Sequence, residues 1–414
     1  MEFHKEMRLT AFCLLICLIF SSANAQRCDT YEYFKKYPVT NSFSTNRVDE
    51  QNKSARDTIS NEVITIPVVI HVLYNNAAQN ISDAQILSQF QSLNNDYRKL
   101  NADAANTPRA FAPLAADARI AFCLAKIDAS GKATTGIIHK YTSEQSWTAD
   151  DGMKFSAQDG DNAWDSKRYL NIWVCNLFGR SLGYSSLPGS QADKDGVVIQ
   201  FDAFGTTGTV TYPFNKGRTA THEIGHWLGL KHLWGDANCG DDSIADTPPQ
   251  QNFNNGCPSF PHTTSCSING NGDMFMNFMD FTDDACMNMF SKGQAMKMRS
   301  IFATGGARNT FLNSAVCDSN SVQHSAMPVE PAVTKMMISL FPNPAIKFIN
   351  LESKNPSDLI GKTVKVCNIY GGVVISQLLL AQKTTITIQH LPVGVYFIKI
   401  GEGKENKTIR FVKE

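Results

Sequence analysis

Apolar positions along this chain fall into distinct patterns, and each predicts a different element. Residues 63–73 read V-I-T-I-P-V-V-I-H-V-L, an apolar run of strand character. From 83 to 100 the period changes, with Ile86, Phe90, Leu93 and Tyr97 recurring at helical spacing behind Ser82, a residue suited to cap the first turn. Further strands are predicted at 119–127, 169–177 and 196–201, and helices at 218–230 and 291–303. Small residues crowd 183–189, which is expected to lead off an edge strand bordering a cleft. Beyond 338 the runs become short, at 348–351, 363–369, 373–380, 384–388, 395–400 and 408–412, and glycines such as Gly371, Gly372 and Gly401 separate them as a small all-β sandwich requires. Residues 26–55 and 319–337 are polar and aperiodic, the first read as a segment that is not a folded domain and the second as a linker. The fold class is α+β: strands and few helices, with loops between the last two helices, over 56–318, followed by an all-β domain over 338–414.

Composition narrows the picture. A chain of 414 residues suits two or three domains, and 38 basic against 38 acidic residues give no excess that would argue for nucleic acid or a membrane surface. Residues 1–25 read as a secretory signal: Lys5 and Arg8 precede an apolar run at 9–20, then Ala23-Asn24-Ala25 offers a small-residue cleavage site. That run is too short for a membrane span, and no later one is long enough, so the mature product is expected without a transmembrane segment. Two of the eleven cysteines, Cys13 and Cys17, leave with the signal, and export permits disulfides among the other nine. Cys239, Cys257, Cys266 and Cys286 cluster and allow three connectivities. Cys123 and Cys175 stand in apolar strands and read as reduced, buried thiols.

The candidate chemistry lies at His222-Glu223-Ile224-Gly225-His226-Trp227-Leu228-Gly229-Leu230-Lys231-His232, an HExxHxxGxxH string. His222 and His226 are four apart, so a helix sets both imidazoles on one face before one metal ion. Glu223 follows His222 and can take a proton from a metal-bound water without being a ligand. Gly229 tolerates the left-handed exit that lets His232 supply a third ligand. Three neutral histidines leave a position for water, the catalytic pattern of zinc, which lowers the pKa of such water to roughly 7. His71, His139, His262, His324 and His390 have no ligand spacing and read as structural or solvated.

The string, with Asp246-Thr247-Pro248 and Asn277-Phe278-Met279-Asp280-Phe281-Thr282-Asp283-Asp284-Ala285-Cys286, resembles the pappalysin family of metzincins, and Met279 matches the methionine of their Met-turn. The resemblance extends over roughly 63–318 and includes Ala163-Trp164-Asp165-Ser166, Arg168 to Val174 and Gly183-Tyr184. It implies the metzincin arrangement, a mixed twisted sheet above a cleft and an irregular lower half, and a secreted zinc endopeptidase acting on protein or peptide substrates, which add a strand to the edge of the sheet. One position departs from the family pattern: a tyrosine usually stands two residues after the methionine, and this chain has Phe281. The missing hydroxyl removes one electrophilic donor, an effect worth ~3 kcal/mol in comparable sites. That departure motivates an alternative, a zinc-binding surface or adhesion protein with weak or no turnover.

The resemblance further implies disulfides pairing Cys239 with Cys266 and Cys257 with Cys286. It reads 26–55 as a pro-segment in which Cys28, or instead Asp29, occupies the open zinc position and keeps a zymogen silent; a disulfide partner for Cys28 is the other reading. Asp284 is placed at the base of the pocket for the residue after the scissile bond, where it would pair with arginine or lysine; a solvated turn or a calcium ligand is the alternative. Such a preference would let the enzyme release its own pro-segment by cutting before Arg47 or Arg56. Asp242 and Thr247, in an acidic loop, are carried over as calcium ligands, against a loop without metal. Residues 338–414, with Leu340 to Ala345 and Leu391 to Tyr396, resemble the C-terminal sorting domain of the type IX secretion machinery of Bacteroidetes, with an adhesive or carbohydrate-binding sandwich as the alternative.

Overall fold

The computed structural model describes residues 27–38, 62–179, 181–267, 270–314, 316–317, 338–353, 359–368, 372–379, 381–400 and 407–414. The signal at 1–25, the cut sites Arg47 and Arg56, the linker at 319–337 and the turn residues Gly371 and Gly401 lie outside the described residues. The chain divides into two units near Ser319.

At the centre of the first unit's sheet is β1 (Ile64–Tyr74), whose Ile66, Val68, Val69, Ile70 and Val72 are fully buried. It pairs in parallel with β2 (Ile120–Leu124) along its first half, β3 (Ile137–Tyr141) along its second, and β4 (Leu170–Cys175). The only antiparallel strand described in this sheet is the short β5 (Gly183–Ser185), which pairs with β6 (Val197–Gln200) and ends the order β2-β1-β4-β6-β5. The small-residue segment is therefore itself the edge strand. β3 was not expected, because Ile-Ile-His-Lys-Tyr is half exposed throughout and lacks an apolar run.

Helices end earlier than their periodicity suggests, and each has a local cause. α2 (Asp83–Asp96) stops short of residue 100 because Lys99 turns left-handed (φ 51°) and Leu100 N–H bonds back to Asn95 O at 2.7 Å, a Schellman closure. α3 (Arg218–Trp227) closes in the same way, with Leu230 N–H on Gly225 O at 3.0 Å, Gly229 N–H on His226 O at 2.8 Å, and Gly229 at φ 89°. Every residue of α3 is buried, including Arg218, whose guanidinium reaches Asp96 of α2 and Asp103. α4 (Lys292–Ser300) opens with a capping box between Ser291 and Gln294.

The polar stretch 26–55 gains one element at its start. Thr30–Lys36 form a short helix, α1, and Cys28, Thr30 and Tyr33 are buried, while 39–55 fall outside the described residues. The reading of Cys123 as a reduced thiol is corrected: it forms a disulfide with Cys317. β2 is the outer strand of its sheet, so its alternate face is only half buried, and Cys317 comes within a Cα–Cα distance of 6.0 Å. Cys175, on the interior strand β4, is buried and outside any disulfide. Cys239 pairs with Cys266 and Cys257 with Cys286, as the resemblance implied. These bonds fasten a region between α3 and α4 that contains no other described helix or strand.

The second unit is all-β. Strands β7 (Ile338–Phe341), β8 (Phe348–Ser353) and β11 (Lys383–Thr387) make one antiparallel sheet in the order β11-β8-β7. A second has the order β10-β9-β12-β13, from β9 (Thr363–Cys367), β10 (Val373–Leu378), β12 (Gly394–Ile400) and β13 (Lys407–Lys413). Inward residues of both sheets, among them Ile349, Leu351, Val364, Val366, Ile398 and Phe411, form one core.

Candidate active site

α3 delivers His222 and His226 one turn apart, and the left-handed turn at Gly229 returns the chain so that His232 meets them. His226 Nε2 lies 3.1 Å from His222 Nε2 and 3.0 Å from His232 Nε2. Three nitrogens bound tetrahedrally at zinc distances would stand about 3.3 Å apart, so these two separations fit one ion. Each ring is oriented from behind, with His222 Nδ1 on Phe278 O at 2.7 Å, His226 Nδ1 on Leu230 O at 2.9 Å and His232 Nδ1 on Asp236. Because Nδ1 faces an acceptor in every case, Nε2 is left with its lone pair toward the centre. Burial pushes the His222 pKa well below its usual range and that of His226 down to about 3, which holds both rings in the neutral form that metal binding needs.

Cys28 completes the group. Its Sγ and the three imidazoles offer ligand atoms that all lie within 4.8 Å of one another, a donor set of the kind zinc takes. The carboxylate of Asp29 is not part of this group; its backbone N–H instead donates to Gly183 O of β5 at 3.0 Å. Glu223 Oε2 lies 3.5 Å from Cys28 Sγ and accepts the Thr30 hydroxyl at 2.9 Å, while Oε1 is buried with no hydrogen-bond partner among the described residues. Burial raises the Glu223 pKa to about 8 and the Cys28 thiol well above its usual range, and a cation would oppose both shifts. Thr30 also accepts from Ser185 N–H at 3.0 Å, so the segment from Arg27 to Thr30 is tied to the same edge strand that borders the cluster.

Beneath the helix lies Met279. A Cβ on Gly225 would stand 2.5 Å from its Sδ, so the glycine within the motif is where the methionine packs. The turn is held by Asn277, which accepts Met279 N–H at 2.9 Å and exchanges amide hydrogen bonds with Gln294 of α4. Buried Asp280 accepts from Asn254, Gln250 and Phe281. The Phe281 ring sits 4.9 Å from that of His232 and 4.9 Å from that of Trp234, closing an aromatic wall beside the histidines with no hydroxyl to offer.

Asp284 is fully buried. One oxygen accepts the backbone N–H groups of Lys216 and Arg218 at the start of α3, at 2.7 and 3.2 Å, and the other accepts Arg27 Nη2 at 2.7 Å. Arg27 Nη1 donates to Thr282 O at 2.8 Å, and its guanidinium lies 5.2 Å from the centre of the Phe214 ring. Asp242 and Thr247 are brought together elsewhere: Asp242 Oδ1 accepts Thr247 Oγ1 at 2.7 Å and Ile244 N–H at 3.0 Å, while Oδ2 is buried with no hydrogen-bond partner among the described residues. Burial pushes the Asp242 carboxyl up to about 7. Arg27 and Thr30 stand in the string Arg27-Cys28-Asp29-Thr30 that resembles the family's latency motif, but sequence reasoning gave neither a role, and it missed Asp236. The Arg27-Cys28 adjacency was the signal for the first, whereas the roles of Thr30 and Asp236 depend on contacts that the sequence does not display.

A buried three-imidazole centre beside a carboxylate with one oxygen left unbonded, on a helix under a mixed sheet, is the arrangement of a metalloendopeptidase. Residues 155–303 match the family described as Pregnancy-associated plasma protein-A, and 339–414 match the secretion system C-terminal sorting domain. An extracellular metalloprotease of Arthroderma otae is 32% identical over 246 residues, 57% of this chain and 76% of the relative. Mature mirolysin of Tannerella forsythia, solved with a cleaved peptide, is 53% identical with a TM-score of 0.60, covering 61% of this chain and 97% of its own. A promirolysin mutant from the same organism is 48% identical with a TM-score of 0.63, covering 69% and 97%. The chain belongs to the pappalysin family of metalloendopeptidases. Its sorting domain marks it for type IX export to the outside or surface of the cell, and no helix among the described residues is long and apolar enough to cross a membrane.

Proposed function

We propose that this secreted metalloendopeptidase is made as a zymogen, cuts before arginine or lysine, and uses zinc held by His222, His226 and His232. Held there, zinc would supply Lewis acidity to the scissile carbonyl and to the attacking water. The rest falls to the chain's own groups. Glu223 takes a proton from the water on its unbonded Oε1 and returns it to the leaving amine, in a setting where burial keeps its affinity for protons high. Gly183 O and Ser185 N–H, which here bond to Asp29 and Thr30, offer the backbone positions that a substrate strand would take.

One observation supports specificity and latency together: Arg27 is seated on Asp284 while the next residue, Cys28, faces the three histidines. The pro-segment thus fills the cleft with an arginine where a substrate arginine is proposed to bind, and places a thiol where water is needed. Cys28 is favoured over Asp29 as the latency residue because only its side chain reaches the cluster. A calcium ion at Asp242 and Thr247 belongs to the same proposal, supported by the buried carboxylate oxygen left without a partner among the described residues.

Specificity is tested on enzyme matured by loss of its pro-segment, with quenched peptides carrying arginine, lysine or glutamine after the scissile bond. A buried charge-assisted contact is worth about 1.5–3 kcal/mol, so arginine is expected to exceed glutamine roughly 10- to 100-fold in kcat/KM. Asp284→Asn is expected to remove most of that difference. Cleavage with no bias toward basic residues would overturn the assignment.

A further inference from the structure

Tyr33 makes contacts that neither latency nor specificity has used. It belongs to α1, yet it is only 5% exposed, within a buried cluster that includes Tyr184, Trp147, Trp173, Met153 and Leu177, and its ring also meets Phe34 and Tyr37 of its own segment, each at 5.2 Å. Its ring lies 5.0 Å from that of Tyr184, and its hydroxyl donates to Asp151 Oδ2 at 2.5 Å. Asp151 is buried and built into its place: Oδ1 accepts the Tyr184 hydroxyl at 3.1 Å and pairs with Lys154 Nζ at 2.8 Å, and Lys194 Nζ stands 3.9 Å from Oδ2. Apart from Tyr33, Phe34 and Tyr37, every one of these groups lies outside the pro-segment. Tyr184 is the middle residue of β5, the strand to which Asp29 and Thr30 are bonded, so the pocket lies along the line of a bound peptide.

We propose that the pocket floored by Asp151 is a binding site for the tyrosine side chain of a peptide, filled by Tyr33 in the latent chain and open once the pro-segment has left. The inference rests on the proposed removal of that segment. The chemistry selects a phenol. Apolar and aromatic walls take the ring, and one carboxylate oxygen, its partner oxygen already engaged, takes the hydroxyl. Phenylalanine would fill the space and leave that oxygen without a hydrogen bond, with only Lys194 Nζ 3.9 Å away. Lysine or arginine would meet Lys154 and Lys194, which already balance the acid. Acidic side chains would place a second negative charge against Asp151.

The test uses matured enzyme and a labelled synthetic peptide of residues 27–38 carrying Cys28→Ser, so that the thiol contributes nothing, with binding read by fluorescence anisotropy. Tyr33→Phe in the peptide is expected to weaken binding roughly 10- to 100-fold, the range of a hydrogen bond to a charged acceptor. Tyr33→Ala is expected to weaken it further. Equal affinity of the three peptides, or no binding by any of them, would overturn the proposal. In the protein, Asp151→Asn is expected to shrink the penalty of Tyr33→Phe; if that variant does not fold, the peptide comparison decides alone. A peptide with Arg27→Gln separates the two readings, because its loss of affinity reports on Asp284 and leaves the Tyr33 comparison unchanged.

Discussion

At Phe281 the site is complete in shape and short of one hydroxyl. The ring borders a cavity of ≈ 400 Å³ lined also by Cys28, His232, Trp234 and Phe253, so an added oxygen has space to enter beside the histidines. Phe281→Tyr in the matured enzyme is expected to raise kcat with little change in KM, by up to ~100-fold if the new hydroxyl reaches the developing oxyanion. Initial rates on a single quenched peptide check this, and an unchanged kcat would show that another donor already fills the role. The proposed latency is tested at the residue level too. Cys28→Ser in the full chain keeps Arg27 on Asp284 but removes the soft donor from the cluster, so peptidase activity is expected in the freshly purified protein, before any cleavage of the pro-segment. Asp29→Ala is expected to leave the protein latent, since the Asp29 contact to β5 is made by its backbone. Equal activity of the two variants would move the lock away from Cys28.

The elements around the site were readable to different degrees. The helical spacing of 83–97 and the apolar run of β1 gave those elements directly, because burial of one face imposes period. The ends of α2 and α3 were not legible, since Schellman closures at Lys99 and Gly229 interrupt patterns that apolar residues continue. The motif predicted why Gly229 is glycine but not Gly225, whose reason is the Met279 sulfur beneath it. Gly225→Ala is expected to destabilise by ~1–3 kcal/mol, as overpacking of a filled interior does, read as a fall in Tm of several degrees. Activity should fall with it, since the displaced Met-turn also carries Phe278 O, the acceptor that orients His222. Asp242 governs a different element, the cysteine-fastened loop. Calcium binding there predicts that a calcium-selective chelator lowers Tm, that added calcium restores it, and that Asp242→Asn abolishes the response. A Tm indifferent to calcium would reduce Asp242 to a buried acid bonded to Thr247.

For the whole molecule, order along the chain was legible and closure was not. Composition separated an α+β region from an all-β one, and the string at 222–232 gathered the centre from a single stretch of sequence. Cys123 gave no comparable sign, because its partner lies 194 residues away and a cysteine in an apolar strand looks like any buried thiol. That bond joins the outer strand of the sheet to Cys317, the last described residue before the second unit, and so closes β3 to β6, α3 and α4 into one loop, with β1 and α2 ahead of it. On the chain-entropy account a loop of this length is worth about 5 kcal/mol, against about 3.5 kcal/mol for loops of a few tens of residues such as those of Cys239–Cys266 and Cys257–Cys286. The double substitution Cys123→Ser and Cys317→Ser is therefore expected to lower the stability of the first unit by up to ~5 kcal/mol while leaving the histidine cluster unaltered. The expected signature is a reduced thermal midpoint for the catalytic unit with kcat/KM at low temperature within about twofold, since neither sulfur touches the site. Loss of activity in step with loss of the bond at low temperature would show instead that the strand order beside β1 depends on this covalent closure.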